Sequence, residues 1–316
     1  MLPESLRMRM IRNKPIERDG RTMSPAMQII LYILEKRRIK TDIENIGVKK
    51  ISKFKKDIFN GKIFVFQKSE ITEQLIAEIK KKIGNNYSGQ LEKLHHLSNC
   101  EEISTELIAN LKNTEIFKNL FYDFLNSINF LQGNSYWDKF VVRVAPAKNE
   151  FGYREASRIG VHRDTWGTNI HQQINWWAPI SSIEETNTMV FFPEYFNRPV
   201  KNSTGTWDLN IYLENRKKGD FSYPSAPELL EDLPENLTIW PVTIKPGEIL
   251  CFSGSHLHSS SKHKSENTRF SYEIRTICES DLNEKNEAPN VDCELQWQFP
   301  KIFRNMKDNS PMKMTS

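Results

Sequence analysis

The sequence predicts a mainly β fold with flanking helices, arranged as an antiparallel double-sheet roll. Two observations carry this. The first part of the chain has helical periodicity, and the texture changes near residue 137 to short apolar strands punctuated by Pro and Gly. The chain has 316 residues, enough for one large domain or for a core with elaborations.

Along the chain, residues 1–56 read as an N-terminal helical extension, with Ser24-Pro25 opening a helix over 24–40. The run Lys62 to Gln67 reads as a buried strand. Ser69 opens a helix that sets Ile71, Leu75, Ile76, Ile79 and Ile83 on one side. Residues 102–130 continue helical. Strand signals then follow at 137–146, 171–180, 187–193, 238–244, 248–253 and 268–277. The turn Ile244-Lys-Pro-Gly-Glu248 leads into one of them. The roll domain therefore spans 57–278, with a polar, Pro-containing insertion at about 201–237 near its mouth. Residues 279–316 are mixed in charge and read as a C-terminal tail that is loose or wrapped on the surface.

Composition narrows the function classes. The net charge is +4, and the Lys and Arg residues are dispersed rather than gathered in a basic stripe, which argues against nucleic acid. No apolar run is long enough for a membrane span. Met1 to Met23 lacks a secretory apolar block. Cys100, Cys251, Cys278 and Cys293 form no C-x-x-C pair and are too sparse for a disulfide framework, which points to a reducing compartment. A cytoplasmic protein, monomer or homodimer, with a small-molecule partner is the expectation.

The chemistry concentrates in Gly160-Val-His162-Arg-Asp164 and in His256-Leu-His258. Two imidazoles and one carboxylate can form the facial triad of non-haem Fe(II) oxygenases, which leaves metal positions open for a keto acid and O₂. His-x-Asp alone is a weak signal. Two features strengthen it. The distal histidine lies 96 positions on, room for the strands of a roll. Arg269 and Ser271 then follow on one strand face, suited to the far carboxylate of a dicarboxylate co-substrate. The expected metal ligands are thus His162, Asp164 and a distal histidine, with Arg269 and Ser271 as 2-oxoglutarate ligands.

Taken together these residues resemble the phytanoyl-CoA dioxygenase family of Fe(II)/2-oxoglutarate oxygenases over roughly residues 57–277. The resemblance implies a double-stranded β-helix (jelly-roll, cupin-like) core, iron as cofactor, and 2-oxoglutarate and O₂ as co-substrates. It maps the distal histidine onto His258 rather than His256, and places Trp176 beside the 2-oxoglutarate. The sequence departs from the family at Glu185-Thr-Asn-Thr188 and Pro193-Glu-Tyr-Phe196, so an acyl-CoA substrate does not carry over. Arg143, Arg163, Arg275 and Trp177 are candidates for holding substrate. Several arginines near one cavity suggest a small, carboxylate-bearing metabolite of specialised metabolism. Hydroxylation is the expected outcome, with cyclisation or desaturation as alternatives on the same cofactors. A reading from another class is a non-catalytic metal- or ligand-binding roll, which would not need Arg269 and Ser271 at that spacing. His171 and His263 read as ordinary strand and loop residues, and His95-His96 as exposed.

Overall fold

The structure is a computed structural model. It describes residues 17–18, 21–22, 48–84, 91–145, 147, 160–220, 222–234, 237–261 and 265–313. The helix expected over 24–40 and His263 lie outside the described residues.

The elements in chain order are β1 (Glu17–Arg18), β2 (Arg21–Thr22), α1 (Val48–Phe59), β3 (Phe64–Phe66), α2 (Glu70–Gly84), α3 (Cys100–Leu111), α4 (Glu115–Ser127), β4 (Ser135–Trp137), β5 (Val141–Ala145), β6 (Ile174–Pro179), β7 (Met189–Phe191), α5 (Leu209–Lys217), β8 (Trp240–Pro241), β9 (Ile249–Ser253), β10 (His258–Ser260), β11 (Arg269–Cys278), α6 (Glu279–Asn283) and β12 (Arg304–Asn305). Helix α2 begins where its capping residues place it. Ser69 N–H donates to Thr72 Oγ1 at 2.8 Å, and Thr72 N–H donates to Ser69 Oγ at 3.3 Å, a reciprocal box that satisfies two end donors. Leu75, Ile76, Ile79 and Ile83 form its buried stripe.

The helical stretch expected over 102–130 is two helices. Asn113 breaks it, at φ 54°, a left-handed conformation that asparagine tolerates. Its N–H donates to Phe140 O at 3.0 Å and its Oδ1 accepts from Phe140 N–H at 3.0 Å. The break thus ties the helical layer to the strand that follows.

Two antiparallel sheets face each other. The larger has seven strands in the order β12-β4-β11-β6-β9-β3, with β5 also pairing β11; the smaller has the order β10-β7-β8. Alternation along the strands sorts the side chains. Ile174, Trp176 and Ala178 of β6, with Phe270, Tyr272 and Ile274 of β11, face the helices in the main core. Trp177, Leu250 and Phe252 face inward, against Phe191, Val242 and Ile244 of the smaller sheet and its flank. One face of the large sheet is therefore sealed by helices. The other is left for a cavity between the sheets.

Residues 279–313 are built into the fold rather than forming a loose tail. Strand β12 pairs β4 at the sheet edge, and Phe303 and Met312 are fully buried. Cys293 and Leu295 pack with Trp166, Trp207 and Leu257, and the segment 201–237 adds Tyr212, Tyr223, Leu229 and Leu233 to that cluster. Mixed charge hid these few apolar anchors. His95 is buried, not exposed, and lies 3.0 Å from Thr268 Oγ1. All four cysteines are buried and none is in a disulfide. No helix among the described residues is long and apolar enough to cross a membrane.

Candidate metal and co-substrate site

His162 and His258 face each other across an isolated antiparallel bridge. Each donates its backbone N–H to the other's carbonyl, both at 3.0 Å. In such a pair both side chains leave the same side of the backbone, and the ring centroids are 4.3 Å apart. Each Nδ1 lies against a carbonyl two residues earlier: Gly160 O at 2.8 Å for His162, and His256 O at 2.9 Å for His258. A carbonyl can only accept, so each Nδ1 carries the proton and each Nε2 presents a lone pair. Burial, with the neighbouring His162 adding to it, pushes the His258 pKa down to about 4, which keeps that imidazole neutral and able to ligate.

Asp164 opens a 3-10 turn, Asp164–Gly167, directly after the bridge. Its Oδ1 lies 3.7 Å from His162 Nε2 and its Oδ2 3.7 Å from His258 Nε2. These gaps are wider than hydrogen bonds, so three donor atoms surround one small space, all within 4.8 Å of one another. Burial works against ionising Asp164; Arg275, whose Nη1 lies 4.0 Å from Oδ1, pulls the other way and is the cation beside the carboxyl when both imidazoles are neutral.

His256 is turned away. Its Nδ1 lies 3.0 Å from Ser253 O and its Nε2 3.1 Å from Gly61 O, and its ring packs on Phe196 at 4.5 Å between centroids. Two residues apart, the two histidines separate because Ser253 to Leu257 is a turn and not extended chain.

Sequence reasoning missed Asn175. From the inner face of β6, its Nδ2 donates to Asp164 Oδ2. Its own Oδ1 accepts from Gln173 Nε2 at 2.8 Å, and Gln173 Oε1 accepts from Thr168 Oγ1 at 3.3 Å. This relay fixes the carboxylate's orientation, the role that partners behind a ligand play in metal sites. Gly254 makes it possible, because a Cβ there would come within 2.6 Å of Gln173 Nε2. The available signal was an asparagine inside an otherwise apolar strand, at the same parity as Trp177.

Arg269 and Ser271 share the inner face of β11. The Arg269 guanidinium donates to Asn187 O at 3.2 Å and to Ser260 Oγ at 3.1 Å, and lies 5.9 Å from the Trp177 ring centre. Its Nε has no partner, nor has the buried Ser271 Oγ. Burial lowers the Arg269 pKa to about 10, which leaves it cationic at neutral pH. Among the described residues no carboxylate is paired with it. A buried cation beside an idle hydroxyl is costly unless an anion completes the set.

The other candidates divide. Arg143, Glu273, Arg275 and Trp177 line the same cavity as the triad and Arg269, with about 770 Å³ of space, part of it open to solvent. Arg143 is paired with Glu273, and Arg275 Nε with Asp138 at 2.5 Å; Arg275 Nη1 is also 4.0 Å from Asp164 Oδ1. Arg163 does not line this cavity. Its Nε is 3.1 and 3.0 Å from the two oxygens of Asp292, and its terminal nitrogens donate to the carbonyls of Ser255, Tyr195 and Arg198. Because it sits between His162 and Asp164, which face the cavity, strand geometry turns it outward, into the C-terminal segment. The Trp176 ring is likewise turned from the cavity. It packs against Phe66, Phe121, Phe124 and Phe130 under the helices, and its Nε1 donates to Thr276 Oγ1 at 2.8 Å. The tryptophan whose ring faces the cavity is Trp177, one residue on.

No family model and no curated protein sequence matches the chain. Solved structures with similar chains include EvdO2 from Micromonospora carbonacea var. aurantiaca complexed with 2-oxoglutarate, at 9% identity and a TM-score of 0.42, covering 82% of this chain and 97% of that one. A non-haem monooxygenase, ThoJ, is 14% identical with a TM-score of 0.39, over 71% of this chain and 77% of that one. EctD from S. alaskensis with bound Fe is 13% identical with a TM-score of 0.36, over 82% and 86%. Likeness at this level carries no argument about this chain's activity, which has to be read from its own side chains.

Proposed function

We propose that the protein is a mononuclear non-haem iron oxygenase that uses 2-oxoglutarate to oxidise a C–H bond of a small molecule. The single observation that carries this is the joint placement, in one cavity, of the His162–Asp164–His258 donor set and a buried, carboxylate-free Arg269 beside the unpartnered Ser271 Oγ. A roll that bound a metal alone would have no use for an unneutralised buried cation opposite the three-donor set.

The donor chemistry fits the group. Two neutral imidazole nitrogens and one carboxylate suit Fe(II) and leave coordination positions open. The two open donors, Arg269 Nε and Ser271 Oγ, suit the distal carboxylate of a dicarboxylic keto acid, which arginine grips in two-pronged fashion. When bound, iron with 2-oxoglutarate and O₂ supplies the oxidation of the substrate, with succinate and CO₂ as co-products.

The chain's own residues perform the rest. The Gly160 and His256 carbonyls hold the two imidazoles in the ligating tautomer. Asn175 holds the carboxylate. Trp177, Phe252 and Met189 supply apolar lining that limits water in the cavity. The preferred reaction is hydroxylation. The arginine count by itself does not indicate an anionic substrate, because Arg143 and Arg275 are each neutralised by a carboxylate and Arg163 faces elsewhere.

The test is anaerobic addition of Fe(II) and 2-oxoglutarate. A weak visible charge-transfer band is expected, absent in His162→Ala. Tight zinc binding with no band and no dependence on 2-oxoglutarate would refute the reading.

A further inference from the structure

The cavity's charges are balanced once the cofactors of the proposed function are in place. A metal dication and the co-substrate dianion cancel together with Asp164 and Arg269. Arg275 is balanced by Asp138, and Arg143 by Glu273. A substrate with net charge would therefore sit uncompensated in a partly desolvated space, at substantial cost.

Only one of these pairs is presented to an incoming molecule at both ends. The side chains of Arg143 and Glu273 are 32% and 34% exposed, against 6% for Asp138. They meet across the β5–β11 ladder on the cavity face, in the row next to the metal-side Arg275. Their contact is lopsided. Arg143 Nε, at 2.9 Å, and Nη2, at 2.5 Å, both donate to Glu273 Oε1. That leaves Arg143 Nη1 and Glu273 Oε2 without partners among the described residues, a cationic donor and an anionic acceptor side by side. An ammonium on the carboxylate and a carboxylate on the guanidinium add ion pairing to each hydrogen bond, which a neutral diol lacks.

We propose that the Arg143–Glu273 pair is the substrate-recognition site and takes the ammonium and carboxylate of a zwitterionic, amino-acid-type group, the ammonium on Glu273 Oε2 and the carboxylate on Arg143 Nη1. The assignment rests on the iron and 2-oxoglutarate reading above. It retains a carboxylate on the substrate and requires an ammonium beside it. It also makes Glu273, two residues before Arg275 on the cavity face of β11, the determinant of specificity.

The experiment adds glycine, L-alanine and L-leucine, with their N-acetyl and amide counterparts and 1,2-propanediol, to the anaerobic protein loaded with Fe(II) and 2-oxoglutarate. Perturbation of the charge-transfer band gives the affinity for each. The free amino acids are expected to bind at least tenfold more tightly than either counterpart. In Glu273→Gln, Arg143 loses its counter-charge, so the order inverts and the anionic N-acetyl forms bind best. A merely structural ion pair would weaken all probes alike. Equal or tighter binding of N-acetyl forms or of the diol to the wild type, no response to any amino acid, or an unchanged order in Glu273→Gln overturns the assignment and leaves the oxygenase reading standing. A band that never forms in the wild type refutes that reading instead, and this assignment with it.

Discussion

Asp292→Asn tests how the C-terminal segment supports the proposed metal site. The Asp292 carboxylate accepts from Arg163 Nε at 3.1 and 3.0 Å, from Trp166 Nε1 at 2.8 Å and from Val200 N–H at 3.2 Å. Both side chains of the ion pair are buried, at 1% and 4% exposure. Asparagine keeps the shape and removes the charge, so the Arg163 guanidinium is left buried without a counter-ion. Breaking such a pair from one side costs about 3–5 kcal/mol. Arg163→Met should cost at least as much, because it also orphans the carbonyls of Ser255, Tyr195 and Arg198. Arg163 stands between His162 and Asp164, so part of the loss should reach the ligands, with Fe(II) affinity falling by roughly 10–100-fold, the range seen when outer partners of ligands are lost. Urea denaturation gives the first quantity, and Fe(II) titration of the 2-oxoglutarate charge-transfer band gives the second. Wild-type values of both in Asp292→Asn would refute the idea that residues near 292 organise the site.

Three further outcomes are expected. Arg269→Lys keeps the charge and loses the planar fork, which should weaken 2-oxoglutarate binding by about 2 kcal/mol, or roughly 30-fold in Kd by titration. Trp176→Ala should lower stability by about 3–5 kcal/mol in urea while leaving 2-oxoglutarate affinity in the folded protein close to wild type, whereas Trp177→Leu should weaken the co-substrate by removing the ring facing Arg269. His171 is buried and its pKa is pushed down to about 4, chiefly by desolvation, so its neutral form is the folded one. Its stabilising contribution is complete above the unfolded value of 6.5 and is lost as pH falls from there toward 4, by roughly 3 kcal/mol at the low end. His171→Gln should reduce the pH dependence of the urea midpoint across that window, leaving the part that His256 and His258, also pushed down to about 4, contribute.

The sequence by itself determined the local chemistry. His-x-Asp, the distal histidine pair and Arg269-x-Ser271 were all visible, because period-2 strand geometry puts alternate residues on one face whatever the rest of the chain does. The helices behind Ser69 and the strands of the large sheet were visible for the same reason, as apolar periodicity. Which of two faces points at the cavity is not a local property. Trp176 and Trp177 are equally apolar, and only the helices packed on one side of β6 assign Trp176 to the core and Trp177 to the cavity. The turn over Ser253 to Leu257 separates His256 from His258, and pairing with His162 selects the latter. The arginines show the limit most clearly. Their number was legible, but Asp292, Asp138 and Glu273 neutralise three of them from 129, 137 and 130 positions away. Only tertiary structure brings such distant charges together, and with them it decides that Arg269 alone, among the candidate arginines, is left without a carboxylate.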